Sequence, residues 1–220
     1  MEKLTTGLWR WTARHPEWHP GEFGAEVASF AAKADDGTLL LIDPLLPEQD
    51  PQAVLGVLDE QAGERVAILI SIPYHVRSSE DLRKRYDATI HGHKAAAKRL
   101  TSKSGFHEVE AGAPLPGAVT AHPIGKPRQR YEMPLHIPSH GALVFGDSVV
   151  EHEGALKVWA HDKVDDKVRR FYSEKFNPSL EPLLELDFDV VLVTHGEPVM
   201  SGGKPKLREA LAADPWYHHG

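Results

Sequence analysis

Short apolar runs, each bounded by turn residues or polar segments, recur along the chain from Leu8 to Val193. Runs of this length with such flanks read as strands. Trp9 and Trp11 sit two apart and share one face of the first of them. Val27 to Ala34 and Thr38 to Ile42 are two more, and Asp35-Asp36-Gly37 between them is a turn, so the pair predicts a hairpin. Asp50-Pro51 then opens a helix, with Asp as N-cap and Pro at the first helical position, and Gly63 ends it after about Ala62. Val66 to Ser71 is a buried strand. Ser78 with Asp81 reads as a capping box and predicts a helix over Ser79 to Tyr86. Ala88 to His91 is a short strand, and Lys94 to Thr101, rich in Ala and Lys, a helix. Glu108 to Pro138 is strand and loop. Ala142 to Phe145 and Val190 to Val193 are strands, while Asp165 to Phe176, Leu180 to Leu186 and Lys204 to Ala213 are helices. Strands alternating with helices give an α/β fold. No linker or low-complexity tract divides the chain, which reads as a single domain over residues 1–220. Its first 26 residues form a strand and a loop rich in His, Trp and Pro.

One internal echo stands out. Gly37 to Asp43 and Gly141 to Asp147 share the pattern G-x-L-x-x-x-D, and each places an Asp just past an apolar strand. Val66 to Ser71 and Val190 to Thr194 are likewise apolar strands that lead into a Ser or Thr and a His-containing loop. Two halves with the same strand-to-site logic suggest an internally duplicated fold.

Three side chains at strand ends are the candidates for chemistry: His75 in SIPYHVRSSEDL, Asp147 in LVFGDSVV and His195 in VVLVTHGEPV. Loops fed by rigid strand ends are where α/β proteins build their sites. A lone His there is more often a polar residue leaving the sheet, but three in this order point to a site.

The segments LLLIDPLLP, VAILIS with its loop, DATIHGHKAA, LVFGDSVV and VVLVTHGEPV resemble the metallo-β-lactamase-like hydrolase superfamily, from about Val27 to about Ala213. The resemblance implies a four-layer αββα sandwich. It also implies the family motif H-x-H-x-D-H after the second core strand, whose His and Asp residues, with later His and Asp positions, bind two metal ions that activate a bridging hydroxide. Aligned on His75, the first His of that motif is Pro73, the Asp is Arg77 and the last His is Ser78. The middle His of the chain falls on Lys126, the bridging Asp on Asp147 and the late His on His195.

Two readings follow. In the first, His75, Asp147 and His195 hold one zinc, manganese or iron ion, and the protein hydrolyses a small ester, thioester, lactone or phosphoester. His15, His19, His91, His93 and His122 are then candidates for a fourth ligand. In the second no metal is bound. Arg77 and Lys126 replace its charge, balance a buried Asp147 and bind an anionic small molecule, or the chain serves a regulatory role. Tyr74 and Trp18 are expected in the ligand-binding pocket. The segment RHPEWHPGEFG either lies over that pocket, with Trp18 as an apolar wall and His15, Glu17 and His19 as polar contacts, or plugs the edge of the sandwich. A structural relic acting through a partner surface is a third reading.

Composition narrows the partners. Formal net charge is -7, which opposes binding to nucleic acid through phosphate neutralisation. The absence of cysteine rules out disulfides, thiolate metal sites and cysteine nucleophiles. With no signal-like run at Met1 to Arg14 and no apolar stretch long enough for a bilayer, a cytoplasmic location is expected and no membrane partner. The ligand is a small molecule, and the oligomeric state is open. His218 and His219 read as tail.

Overall fold

The computed structural model describes residues 1–20, 22–110, 112–124 and 131–218. The expectation placed on Lys126 lies outside the described residues, as does His219.

A first sheet of seven strands takes its order from the chain. β1 (Glu2–Thr5), β2 (Leu8–Arg14), β3 (Glu26–Lys33) and β4 (Leu39–Ile42) are antiparallel neighbours. β5 (Val66–Leu69), β6 (Thr89–Gly92) and β7 (Phe106–Glu108) extend it in parallel. Parallel strands need crossovers, and α1 (Pro51–Gln61) and α2 (Ser79–Tyr86) supply the first two. The second half of the chain gives β8 (Thr120–Ala121), β9 (Leu135–Ile137) and β10 (Ala142–Phe145). A hairpin follows, β11 (Val149–His152) with β12 (Ala155–Val158), and then α3 (Asp166–Phe171), α4 (Asn177–Leu180), β13 (Val190–Val193) and α5 (Gly203–Ala212). The second sheet has the order β13-β10-β9-β8, with β10 and β13 parallel.

The continuous apolar strands follow from burial on both faces. Leu40, Ile42 and Leu69 point inward and pack against Leu135, Val144 and Leu192 of the other sheet. Leu39, Leu41 and Ile68 point outward to Leu58 of α1 and Leu82 of α2. Leu143, Phe145, Val191 and Val193 face Leu180 of α4 and Leu207 of α5. Three apolar layers thus separate four layers of structure, an αββα sandwich. Burying one such leucine side chain contributes about 2 kcal/mol. Trp9 and Trp11 join the helix-facing layer, as their shared face required, and Trp11 Nε1 donates to the Leu45 carbonyl at 2.7 Å.

Local signals fared unevenly. Asp50 caps α1 by accepting from Ala53 N. Ser78 does not cap α2; its hydroxyl accepts from Leu46 N at 2.9 Å, which ties the loop after β4 to the loop after β5. Lys94 to Thr101 forms only a 3₁₀ turn at Ala96–Lys98, because helical propensity yields to the short crossover between β6 and β7. Residues 1–26, expected to hold one strand and a loop, contribute two strands, β1 and β2, to the first sheet. The long helix expected over Asp165 to Phe176 passes into a π-turn at Tyr172–Phe176 before α4.

Candidate functional site

The echo between the two halves is a structural correspondence. β4 and β5 are parallel neighbours in one sheet, and β10 and β13 are parallel neighbours in the other. Each pair delivers an Asp and a His to the same edge of the sandwich: Asp43 with His75, and Asp147 with His195. The sheets are joined at this edge by Ala28 N donating to the Thr194 carbonyl at 2.8 Å.

Asp43, absent from the sequence candidates, is the anchor of the cluster. It is 2 % exposed. Its Oδ1 accepts from Ser71 N at 2.8 Å, and its Oδ2 accepts from the Ser71 hydroxyl and from His75 Nδ1, the latter at 2.9 Å. The far side of the His75 ring faces Asp147, with Nε2 3.4 Å from Oδ1. His195 Nε2 lies 3.8 Å from the same oxygen. Asp43, His75, Asp147 and His195 therefore form a chain of alternating carboxylates and imidazoles.

Asp147 owes its position to Glu132, which sequence reading also passed over. That carboxylate is 1 % exposed. It accepts from the backbone N–H groups of Gly146, Asp147 and Ser148 and from the Ser148 hydroxyl, so it holds the whole GDS turn.

Arg77 occupies the wall beside the cluster with a positive φ of 39°, rare for a residue with a side chain. Its Nη1 donates to the Asp43 carbonyl at 2.9 Å and, at 3.4 Å, to the Ala28 carbonyl. Its Nε and Nη2 are buried and have no hydrogen-bond partner among the described residues. Burial pulls the guanidinium pKa down, and the charges of Asp43 and Asp147 only partly oppose that. The same positive charge acts on its neighbours. For His75, burial and Arg77 lower the pKa, but Asp147 and Asp43 outweigh them and the net shift is upward. His195 is pushed down to about 4 by burial, with His75 and Arg77 adding to the effect and Asp147 opposing it.

These opposite shifts predict a pH dependence. An unfolded His195 takes up its proton near 6.5, the folded one near 4. Between those values the unfolded chain binds more protons, so stability falls as pH drops through that window and levels off below it. His75 contributes in the other direction: its share is full below about pH 6.5 and is lost as pH rises through its raised pKa. A melting-temperature profile of His195→Gln should therefore slope less between pH 6.5 and 4 than that of the parent.

Above the cluster opens a cavity of about 410 Å³. His15, Trp18, Phe23, Gly24, Tyr74, His75, Arg77, Asp147, Trp159, His161, His195, Tyr217 and His218 are among its lining residues. The loop after β2 therefore lies over the pocket and does not plug an edge elsewhere. Trp18 is in the wall as expected, whereas Glu17 and His19 are not. His218 lines the cavity too, so it is no mere tail. Gly24 is needed where the loop crosses His195: its φ is +68°, and a Cβ there would stand 2.6 Å from Nδ1. Of the proposed extra ligands only His15 reaches the cavity. His91 stacks on His107, His93 on Tyr131, and His122 pairs with Thr120.

Comparison with known structures agrees with the architecture. A metallo-beta-lactamase from Pontibacter korlensis superposes with a TM-score of 0.65 at 12% identity, covering 96% of this chain and 98% of that one. An archaeal metallo-beta-lactamase superfamily protein from Sulfolobus tokodaii gives 0.62 at 16% identity over 94% and 85%. A metallo-beta-lactamase family protein from Thermus thermophilus gives 0.58 at 16% identity over 96% and 80%. The chain has the metallo-β-lactamase fold. No protein-family model matches the sequence, and no curated protein matches it. No helix of the described residues is long and apolar enough to cross a membrane.

The metal-ligand set that the resemblance implies is not assembled among the described residues. Among the described residues no three His, Asp or Glu side chains are arranged to hold a metal ion. Both ring nitrogens of His75 are directed at carboxylates, and the Nδ1 of His195 is shut under Gly24. The Arg77 guanidinium, a fixed cation, lines the same cavity as His75, Asp147 and His195.

Proposed function

We propose that this protein is a metal-independent member of the metallo-β-lactamase fold whose pocket binds a small anionic molecule, with Arg77 supplying the positive charge. The observation that carries the reading is the Arg77 guanidinium, buried in the pocket wall with Nε and Nη2 unpartnered. Buried donors without acceptors cost about 1–3 kcal/mol, more when charged, and an anionic ligand recovers that cost. His75 lies between the Asp43 and Asp147 carboxylates, at 2.9 and 3.4 Å. A cytoplasmic location and a small-molecule partner belong to the same reading.

One observation favours the hydrolase alternative with a reduced metal site. His75 and His195 both approach Asp147 Oδ1, at 3.4 and 3.8 Å, so the three candidates lie close together although they are not set out as a ligand shell. The two readings separate in a single experiment. Chelator-treated protein titrated calorimetrically with acetate and inorganic phosphate should bind at least one of them, unchanged by EDTA. Binding that appears only after a divalent metal is restored would favour the hydrolase.

A further inference from the structure

We infer that the ligand is an aromatic carboxylic acid, its carboxylate bound side-on by Arg77 and its ring held against Trp159 and Phe23. The inference rests on the anion reading above and adds to it the shape of the acid and the nature of its body.

The carboxylate follows from which guanidinium atoms are free. Nη1 is spent on the Asp43 carbonyl. Nε and Nη2 remain, and their N–H bonds run parallel along one edge of the planar group. That edge matches the two oxygens of a carboxylate bidentately. Both atoms are closed off from water, so binding includes a small rotation of the side chain toward the cavity it lines. Side-chain rotations of this kind are common on binding.

The ring follows from the walls. Beyond the charged cluster the cavity is bounded largely by planar side chains, Trp18, Phe23, Tyr74, Trp159 and Tyr217 among them. Phe23 and Trp159 are fixed before any ligand arrives. Phe23 packs at 4.7 Å on Trp216, 5.6 Å on His195 and 5.7 Å on Trp159, while Trp159 stacks on His161 at 4.0 Å. Walls held this way lose little entropy when a ring enters, and ring–ring contacts add to apolar burial. The volume, about 410 Å³, is at the small end of ligand sites and suits one or two fused rings. Two arginines stand on aromatic residues of the wall, Arg14 at 5.1 Å from Trp18 and Arg99 at 4.1 Å from Tyr74.

The test is a fluorescence and calorimetric titration with 1-naphthoate, acetate and 1-naphthylmethylammonium. Naphthoate should bind at least tenfold more tightly than acetate, and the ammonium not measurably. Trp159→Ala should weaken naphthoate by about tenfold and leave acetate unchanged, while Trp159→Phe, which keeps a ring in the wall, should retain most of the affinity. Equal affinity for naphthoate and acetate would overturn the aromatic assignment and leave the anion reading standing. Preference for the ammonium would overturn both.

Discussion

Arg77→Met should lose acetate and phosphate binding by about 10- to 100-fold, the range expected when a charge-assisted hydrogen bond is removed. The substitution keeps an apolar stem of similar reach and takes away the guanidinium alone. Arg77→Lys should recover only part of the affinity, because an ammonium offers charge without the two parallel N–H groups. Stability should fall as well. Nη1 bridges the Ala28 and Asp43 carbonyls, and the charge sits among Asp43 and Asp147. The residue as a whole is half-buried, although Nε and Nη2 are closed off from water, so the cost is on the order of 2 kcal/mol, below that of breaking a fully buried pair. For a chain of this size that lowers the melting temperature by roughly 4–8 °C. Arg77→Met binding acetate as well as the parent would remove this residue from the site.

The largest loss of stability is expected at Asp43. Its two oxygens take hydrogen bonds from Ser71 N, the Ser71 hydroxyl and His75 Nδ1, all in a 2 % exposed position. Asp43→Ala leaves His75 beside Asp147 alone and strands the Ser71 donors, at roughly 3–5 kcal/mol. The backbone adds to this, since Asp43 has φ 47°, which Ala tolerates poorly and Asn well. Asp43→Asn should therefore cost about half as much, and the gap between the two separates shape from charge. Urea denaturation of both variants measures it. Equal losses would mean that the carboxylate's charge accounts for the whole effect and the left-handed turn for none of it, while a negligible loss in Asp43→Asn would mean that the residue serves only the turn.

The layers of the fold were legible because the apolar strands report burial directly. Leu39 to Ile42 and Val190 to Val193 have no polar position, and each is covered on both faces. The Asp50-Pro51 start was legible for a local reason, a side chain that reaches its own helix. The Ser78 cap failed because a partner distant in sequence, Leu46 N, claimed the hydroxyl. The 3₁₀ turn at Ala96–Lys98 and the π-turn at Tyr172–Phe176 are set by packing that no window of sequence contains.

At the site, His75, Asp147 and His195 were marked by their places at strand ends. Asp43 was visible in the G-x-L-x-x-x-D echo, but its role was not, because its partners Ser71 and His75 lie on the next strand and loop. Glu132 and the part of the aromatic wall beyond Trp18 and Tyr74 were illegible for the same reason. Glu132 acts on a turn beyond the two strands that follow it, and Trp159, Trp216 and Phe23 meet only when three distant loops converge.

The central claim is that a fixed cation has taken the place of metal ions in this pocket. It is tested most directly by elemental analysis of the untagged protein after incubation with zinc, manganese and iron and thorough desalting, beside acetate titration of the same samples with and without EDTA. The account predicts less than a tenth of an equivalent of any metal, about the level of carry-over, with anion binding indifferent to EDTA. Near-stoichiometric metal in the parent, lost in His195→Ala, with ligand binding abolished by EDTA, would contradict it.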